Sequence, residues 1–217
     1  MTSPLTDSPY WQPEVLWPGE TVFIIGGGPS LKNMDWAPFR SQRVIGLNDA
    51  YRLGDWMGVC FWGDNRWWDV HCSELKSYRG MKISAQTGKP EGDPEVKWVH
   101  RWPDGLSVQN RIGWNWSTGA AAINLALVMG ARKVVLLGYD MKPGPKGERN
   151  WHDNNIDSIP LDYKEKPDMP STLERHQEGF WAIARALPSA FPGAQVLNAG
   201  PDSVLQGFPM VNLEDVL

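Results

Sequence analysis

Short apolar runs that stop abruptly at glycine or at a polar pair constrain this chain most. Thr21-Val-Phe-Ile-Ile-Gly26, Arg43-Val-Ile-Gly-Leu47, Met57-Gly-Val-Cys-Phe-Trp62 and Lys133-Val-Val-Leu-Leu-Gly138 are apolar almost throughout and rich in β-branched residues. Runs of that kind read as strands buried on both faces, the condition of a parallel sheet. Helical patterns lie between them. Asp64 to Tyr78 carries Trp67, Trp68, His71, Leu75 and Tyr78 at helical spacing. Ser117 or Thr118 caps an Ala/Leu-rich helix over Ala120 to Met129, closed by Gly130. Ser171 to Leu187 is amphipathic through Leu173, His176, Phe180, Ile183, Ala184 and Leu187. Met81–Ala85, Val96–Val99 and Gln195–Asn198 are shorter strand candidates. The strand–helix–strand rhythm predicts a single α/β, Rossmann-like domain over residues 21–217, its sheet mostly parallel with helices on both faces. Residues 1–20, punctuated by proline, read as an extended arm held down by Tyr10, Trp11 and Trp17. The Pro/Gly-broken polar stretch 141–170 is long for a loop in a compact domain, which suggests an active-site lid.

Composition narrows the function classes. An apolar fraction of 41% with a net charge of −4 excludes a disordered chain and argues against broad DNA-backbone binding. No run approaches the ~18 apolar residues of a membrane span. The polar, Pro-rich start does not read as a signal peptide, and two cysteines, Cys60 and Cys72, make no disulfide scaffold, so a cytoplasmic setting is expected. Both cysteines read as small core residues, without zinc spacing. Thirteen tryptophans are a marked excess. Eight of them fall between the second strand and Ser117, and Trp67, Trp116 and Trp151 are the ones expected to touch ligand.

The strand ends carry the candidate site. Gly26-Gly27-Gly28-Pro29-Ser30 follows the first strand directly. Glycines let backbone approach a ligand, Pro29 suits a first helical turn, and a helix N-terminus with the Ser30 hydroxyl suits a phosphate. Asn48, after the second strand, has a donor and an acceptor for a base or ribose edge; a helix cap is an equal reading of the residue alone, and its place at a strand end beside the glycine loop favours the ligand. Asp64 and Asn65 follow the third strand, and Ser117, Thr118 and Gly119 open the Ala-rich helix as a second anion-competent N-terminus; capping explains both equally well. Tyr139 and Asp140 end the fourth run over the sheet edge. His152, beside Trp151 on the polar lid, is the expected general base, with His176 as its rival, read as packed beside Phe180.

These residues in this order resemble the bacterial α-2,3-sialyltransferases of the Campylobacter type. The likeness rests on Gly28-Pro-Ser-Leu-Lys32 after the first strand, Asn48 after the second, Ser117-Thr-Gly119 before an Ala-rich helix, Gly138-Tyr-Asp140, and the closing Val196-Leu-Asn198, Ser203-Val-Leu205 and Phe208-Pro209. It extends to a wider group of phage and prophage proteins and archaeal 6-hydroxymethylpterin pyrophosphokinase-like domains. The family has Asn where this chain has Gly27. The resemblance implies that Gly27, Gly28, Ser30 and Asn48 bind the nucleotide, that Ser117, Thr118 and Gly119 line the donor site, that Tyr139 assists the leaving phosphate and that His152 is the base. It implies a metal-independent glycosyltransferase using a nucleotide sugar as donor, with no obligatory cofactor. The acceptors it leaves open are a glycan and a modified nucleic acid such as a phage DNA base. Two alternatives stand beside it. One is a Mg²⁺-dependent pyrophosphokinase-like ATP enzyme, with Asp64 and Asp140 as ligands. The other is a non-catalytic binding module on the same fold.

Overall fold

In the computed structural model, residues 8–152 and 169–217 are described; the part of the expected lid over 153–168 lies outside them. The strands are β1 (Thr21–Ile25), β2 (Arg43–Leu47), β3 (Val59–Trp62), β4 (Met81–Ser84), β5 (Lys97–Trp98), β6 (His100–Trp102), β7 (Arg111–Gly113), β8 (Lys133–Leu137) and β9 (Gln195–Asn198). The helices of eight residues or more are α1 (Asn65–Leu75), α2 (Thr118–Val128) and α3 (Met169–Ala190). Seven strands form one sheet in the order β5-β4-β3-β2-β1-β8-β9, every pairing parallel. The chain thus runs outward from β1 to β5, then returns to the other side of β1 at β8. The order reverses between β1 and β8, where open α/β sheets leave a crevice beyond the strands' carboxyl ends.

Alternation along β1 sets the layers, because successive side chains of a strand point to opposite faces. Val22 and Ile24 pack with Ile45, Val134 and Leu136 under α2 and under Phe180, Ile183 and Leu187 of α3. Phe23 and Ile25 pack the other way, with Leu31, Phe39, Met57, Val135 and the C-terminal Val211 and Leu213. Further along that face, α1 covers Cys60 and Trp62 with Trp68 and Leu75. Residues Ala120 to Leu127 of α2 are all buried, which explains a helix apolar all round. Ser117 is its N-cap, and Gly130 turns the chain away at φ +101°. The arm finishes α2 from outside: Leu16 and Trp17 donate backbone N–H groups to Met129 O, at 3.0 and 2.9 Å. Those bonds satisfy a carbonyl that the helix leaves without an internal partner.

Three sequence readings change. No helix follows the glycine loop; Pro29–Leu31 make a single 3₁₀ turn, and Lys32 is already extended. The third strand starts at Val59, two residues later than expected, and the Met57 side chain packs against Gly46. The Val96–Val99 strand is Lys97–Trp98, after which the chain makes a second, two-stranded parallel sheet from β6 and β7. Among the described residues no helix is long and apolar enough to cross a membrane.

Candidate functional site

A cleft of about 610 Å³ opens at the β1/β8 reversal. Its floor is the set of loops that leave the strand ends: Gly26–Gly28 after β1, Asn48 after β2, Gly63–Asn65 after β3 and Gly138–Met141 after β8. Ser117, Thr118 and Gly119 at the start of α2 form one wall; Arg175, His176 and Phe180 of α3 stand on another. The structure therefore brings Gly26, Gly27, Gly28, Asn48, Asp64, Asn65, Ser117, Thr118, Gly119, Tyr139 and Asp140 to one cavity. Ser30 and His152 are not among its lining residues.

Sharing a cavity does not give these residues equal freedom to meet a ligand. Gly26 and Gly28 donate backbone N–H groups to Leu137 O and Gly138 O, both at 2.8 Å, so they continue the parallel ladder. A Cβ on Gly28 would lie 2.6 Å from both Gly138 O and the Asp140 carboxyl carbon. Two of the three glycines are thus required by loop-to-loop packing. Gly27 is different. Its carbonyl accepts from Trp151 N at 3.0 Å, its N–H makes no hydrogen bond among the described residues, and only the Asn150 amide lies over it.

Asp140 is spent on the same loop. Its Oδ2 accepts the Ser30 N–H at 2.7 Å and its Oδ1 accepts the Ser30 hydroxyl at 2.5 Å. This corrects the expectation that the Ser30 N–H and hydroxyl face a phosphate: a carboxylate already occupies that anion position. Both Asp140 oxygens are thus occupied, while Asp64 caps α1 with one of its oxygens, accepting from Arg66 N at 2.9 Å. Among the described residues no group of three or more His, Cys, Asp or Glu side chains is placed to hold a metal ion. Tyr139 is similarly engaged. Its hydroxyl donates to Gly119 O at 3.1 Å, and burial pushes its pKa well up, so it acts as a strut between β8 and α2. Asn65 ties α1 to the loop after β4 through Thr87, donating to its carbonyl at 3.0 Å.

The groups with capacity to spare are Gly27 N–H, the first N–H groups of α2, Asn48 and Arg101. Ser117 Oγ accepts from Ala120 N, while Thr118 and Gly119 have no intrahelical acceptor for their N–H groups. Asn48 sits at φ +47°, and its Oδ1 is buried without a hydrogen-bond partner among the described residues. A buried, unpaired acceptor is costly and needs a donor, such as a ligand N–H or O–H. Arg101 lies with its guanidinium 3.6 Å over the Trp114 ring and donates to Ala85 O and Gly63 O. Burial lowers its pKa to about 10, against the opposite pull of Asp64, which leaves it cationic at neutral pH.

Sequence reasoning missed Arg101 and Trp114, both on the cleft wall. They are carried by β6 and by the turn after β7, strands too short to show a period. Of the tryptophans expected at the ligand, only Trp116 lines the cleft. Trp67 donates its indole N–H to Asp49 at 2.6 Å, and Trp151 donates its own to Gly26 O at 3.1 Å, from behind the loop.

The two histidines lie differently about the cleft than expected. His152 faces Asp49 Oδ2 at 3.9 Å behind the Asn48 turn, with a side chain only 15% exposed. Asp49 is 2% exposed and is a hub: Trp67, Arg52 at 3.5 Å and His71 at 3.6 Å also converge on it. His71 hydrogen-bonds the Tyr51 hydroxyl at 3.0 Å, and Tyr51 in turn donates to Glu74. Burial, with Arg52 and His152 adding to it, lowers the His71 pKa against Asp49 and Glu74. His176, expected to be packed, stands on the cleft wall instead. Its pKa is lowered by burial and by Arg175, against the opposite pull of the nearby Trp116 backbone, so the ring is neutral at neutral pH.

A strand-end crevice at the point where the strand order reverses, lined by a half-buried Arg101 and by His176, places the chain in a class by fold: an open, parallel α/β sheet with a ligand-sized cleft at its switch point. Comparison with solved structures narrows the fold further. The chain is similar to the sialyltransferase CstII from Campylobacter jejuni in complex with cytidine-5'-monophosphate, at 14% identity and a TM-score of 0.52, covering 89% of this chain and 85% of that one. The CstII complex with CMP-3FNeuAc gives 14% and 0.53 over 88% and 86%. The monofunctional alpha-2,3-sialyltransferase Cst-I from the same organism gives 16% and 0.54 over 88% and 80%. At such identities the likeness is one of fold: that of bacterial sialyltransferases, none of the three being a phage protein or a pyrophosphokinase. No protein-family model matches the chain, and no curated protein matches it in sequence.

Proposed function

We propose that the protein is a glycosyltransferase-like enzyme, moving a sugar from a nucleotide-activated donor to an acceptor hydroxyl without a resident metal. One observation carries the reading: at the β1/β8 crevice, unspent N–H donors, a cationic Arg101 and the unpartnered Asn48 Oδ1 share a cleft with a neutral histidine. The donor phosphate would be received by Gly27 N–H, the N-terminus of α2 and Arg101, where its charge grows as it leaves. Asn48 would take a donor group from the base or ribose. His176, rather than His152, is the base, because it stands on the cleft wall while His152 is held behind Asn48. His176 takes the acceptor hydroxyl's proton, the acceptor oxygen bonds to the sugar's anomeric carbon, and the bond from that carbon to the phosphate oxygen breaks. The electron pair leaves with the phosphate. The fold likeness to CstII and Cst-I supports this reading.

The test has two parts. Native mass spectrometry of the purified protein identifies a carried nucleotide, and its sugar adduct is then supplied to wild type, His176→Ala and His152→Ala with a panel of acceptors. The expected result is a loss of about 10²- to 10⁴-fold in turnover for His176→Ala, the range for removing a general base. Turnover lost only with His152→Ala would overturn the assignment of the base, and no turnover or nucleotide in wild type would overturn the function.

A further inference from the structure

Trp116 is an anomaly that the nucleotide site does not explain. It is 60% exposed, yet its backbone is held at φ +57°, directly after Asn115 at φ +47°. A bulky side chain in the left-handed region is strained, and such strain persists only where the surroundings enforce it. Here they do. Asn115 is 1% exposed and exchanges two hydrogen bonds with Gly105, accepting from its N–H at 2.7 Å and donating to its carbonyl at 2.9 Å. On the other side Gly179 of α3 fits so closely that a Cβ there would lie 2.5 Å from Asn115 O. The turn is clamped, and what it holds out is an indole ring. That ring makes no aromatic or cation–π contact among the described residues, and its N–H has no hydrogen-bond partner there. It lines the same cleft as His176, whose ring lies close to the Trp116 backbone.

We propose that Trp116 is the stacking platform of an acceptor subsite, taking the apolar face of a pyranose ring and presenting one of its hydroxyls to His176. An indole offers a flat apolar surface together with an N–H that can meet a sugar hydroxyl. The rival occupant is the donor's base, which also stacks on aromatic rings. The acceptor is favoured because Trp116 and His176 line one cleft, which sets the platform beside the group that removes the acceptor's proton, and the unpartnered Asn48 Oδ1 already offers the nucleotide an acceptor. The subsite rests on the transferase reading, but its ligand and its residue are separate from the nucleotide's.

The experiment is saturation-transfer NMR with methyl β-D-galactopyranoside, methyl β-D-glucopyranoside and methyl α-D-mannopyranoside at millimolar concentration. It uses wild type, Trp116→Phe and Trp116→Gly, with CMP affinity and Tm measured on the same samples. Expected is binding of at least one glycoside, retained in Trp116→Phe and weakened about tenfold or more in Trp116→Gly, with CMP affinity at the wild-type value. Because glycine relieves a positive φ, the Tm of Trp116→Gly should be at or above wild type. Absence of glycoside binding in wild type would overturn the proposal. So would loss of CMP affinity in place of glycoside affinity, or a steep fall in Tm that marks Trp116 as a packing residue. A wild type that binds glycoside but no nucleotide sinks the transferase reading while the platform stands.

Discussion

Asp140 carries both donors of Ser30, its N–H at 2.7 Å and its hydroxyl, so deleting the carboxylate strands both in a partly buried turn. Asp140→Ala should cost about 2 kcal/mol in urea denaturation, the scale of a hydrogen bond to a charged group. Asp140→Asn, which keeps an acceptor for the Ser30 N–H, should cost less. Unchanged stability in Asp140→Ala would show that the carboxylate is held for ligand rather than for the loop. The glycines divide in the same way. Gly28→Ala meets Asp140 and Gly138 at 2.6 Å and should destabilise by about 1–3 kcal/mol, whereas Gly27→Ala meets only the movable Asn150 side chain and should fold normally. The motif Gly26-Gly-Gly-Pro-Ser30 announces a loop at a strand end, and that much is legible in the residues. Which of its groups are already taken is not, because the partner of Ser30 lies 110 residues away. For the same reason the choice between His152 and His176 could not be read from their neighbours in sequence. It turns on Asp49, whose burial brings His71, His152 and Arg52 together from three segments.

Element by element, what showed in the chain is what carries its own pattern. β1, β2 and β8 announce themselves as apolar runs, and α2 by its Ser117 cap, Ala-rich body and closing Gly130. β6 and β7 do not, being three residues each, and the end of β7 is tied to a residue of another element. That residue is Asn124, fully buried in the middle of α2. Its Oδ1 accepts from Gly113 N at 2.7 Å and Ser107 N at 2.9 Å, and its Nδ2 donates to Ser107 O at 2.8 Å. Asn124 thus ties the loop between β6 and β7, and the end of β7 next to Trp114, to α2. Asn124→Leu, similar in size but without polar atoms, should cost about 3 kcal/mol or more by stranding buried backbone groups. If urea denaturation finds Asn124→Leu as stable as wild type, the loop has other partners.

Across the whole molecule, the sheet order is what turns scattered strand-end residues into one cleft, since only the reversal between β1 and β8 sets the glycine loop against Tyr139 and Asp140. The cleft and the hub behind it also make the fold acid-sensitive. His71 and His176 both have pKa values lowered by burial, so the unfolded chain binds their protons more tightly than the folded one. Their contribution to stability is complete above the ordinary histidine pKa of ~6.5 and is lost as pH falls through it towards the lowered values. Tm should therefore fall between about pH 7.5 and pH 5, and His176→Gln should flatten that fall; a Tm that rises on acidification would contradict the burial argument. Turnover should decline in the same direction, since the base must be neutral. Isothermal calorimetry against CMP, UMP, UDP and GDP reads out whether the crevice takes a nucleotide. At least one should bind wild type and bind Asn48→Ala at least about tenfold more weakly. Failure of all four to bind wild type at millimolar concentration would contradict the nucleotide reading.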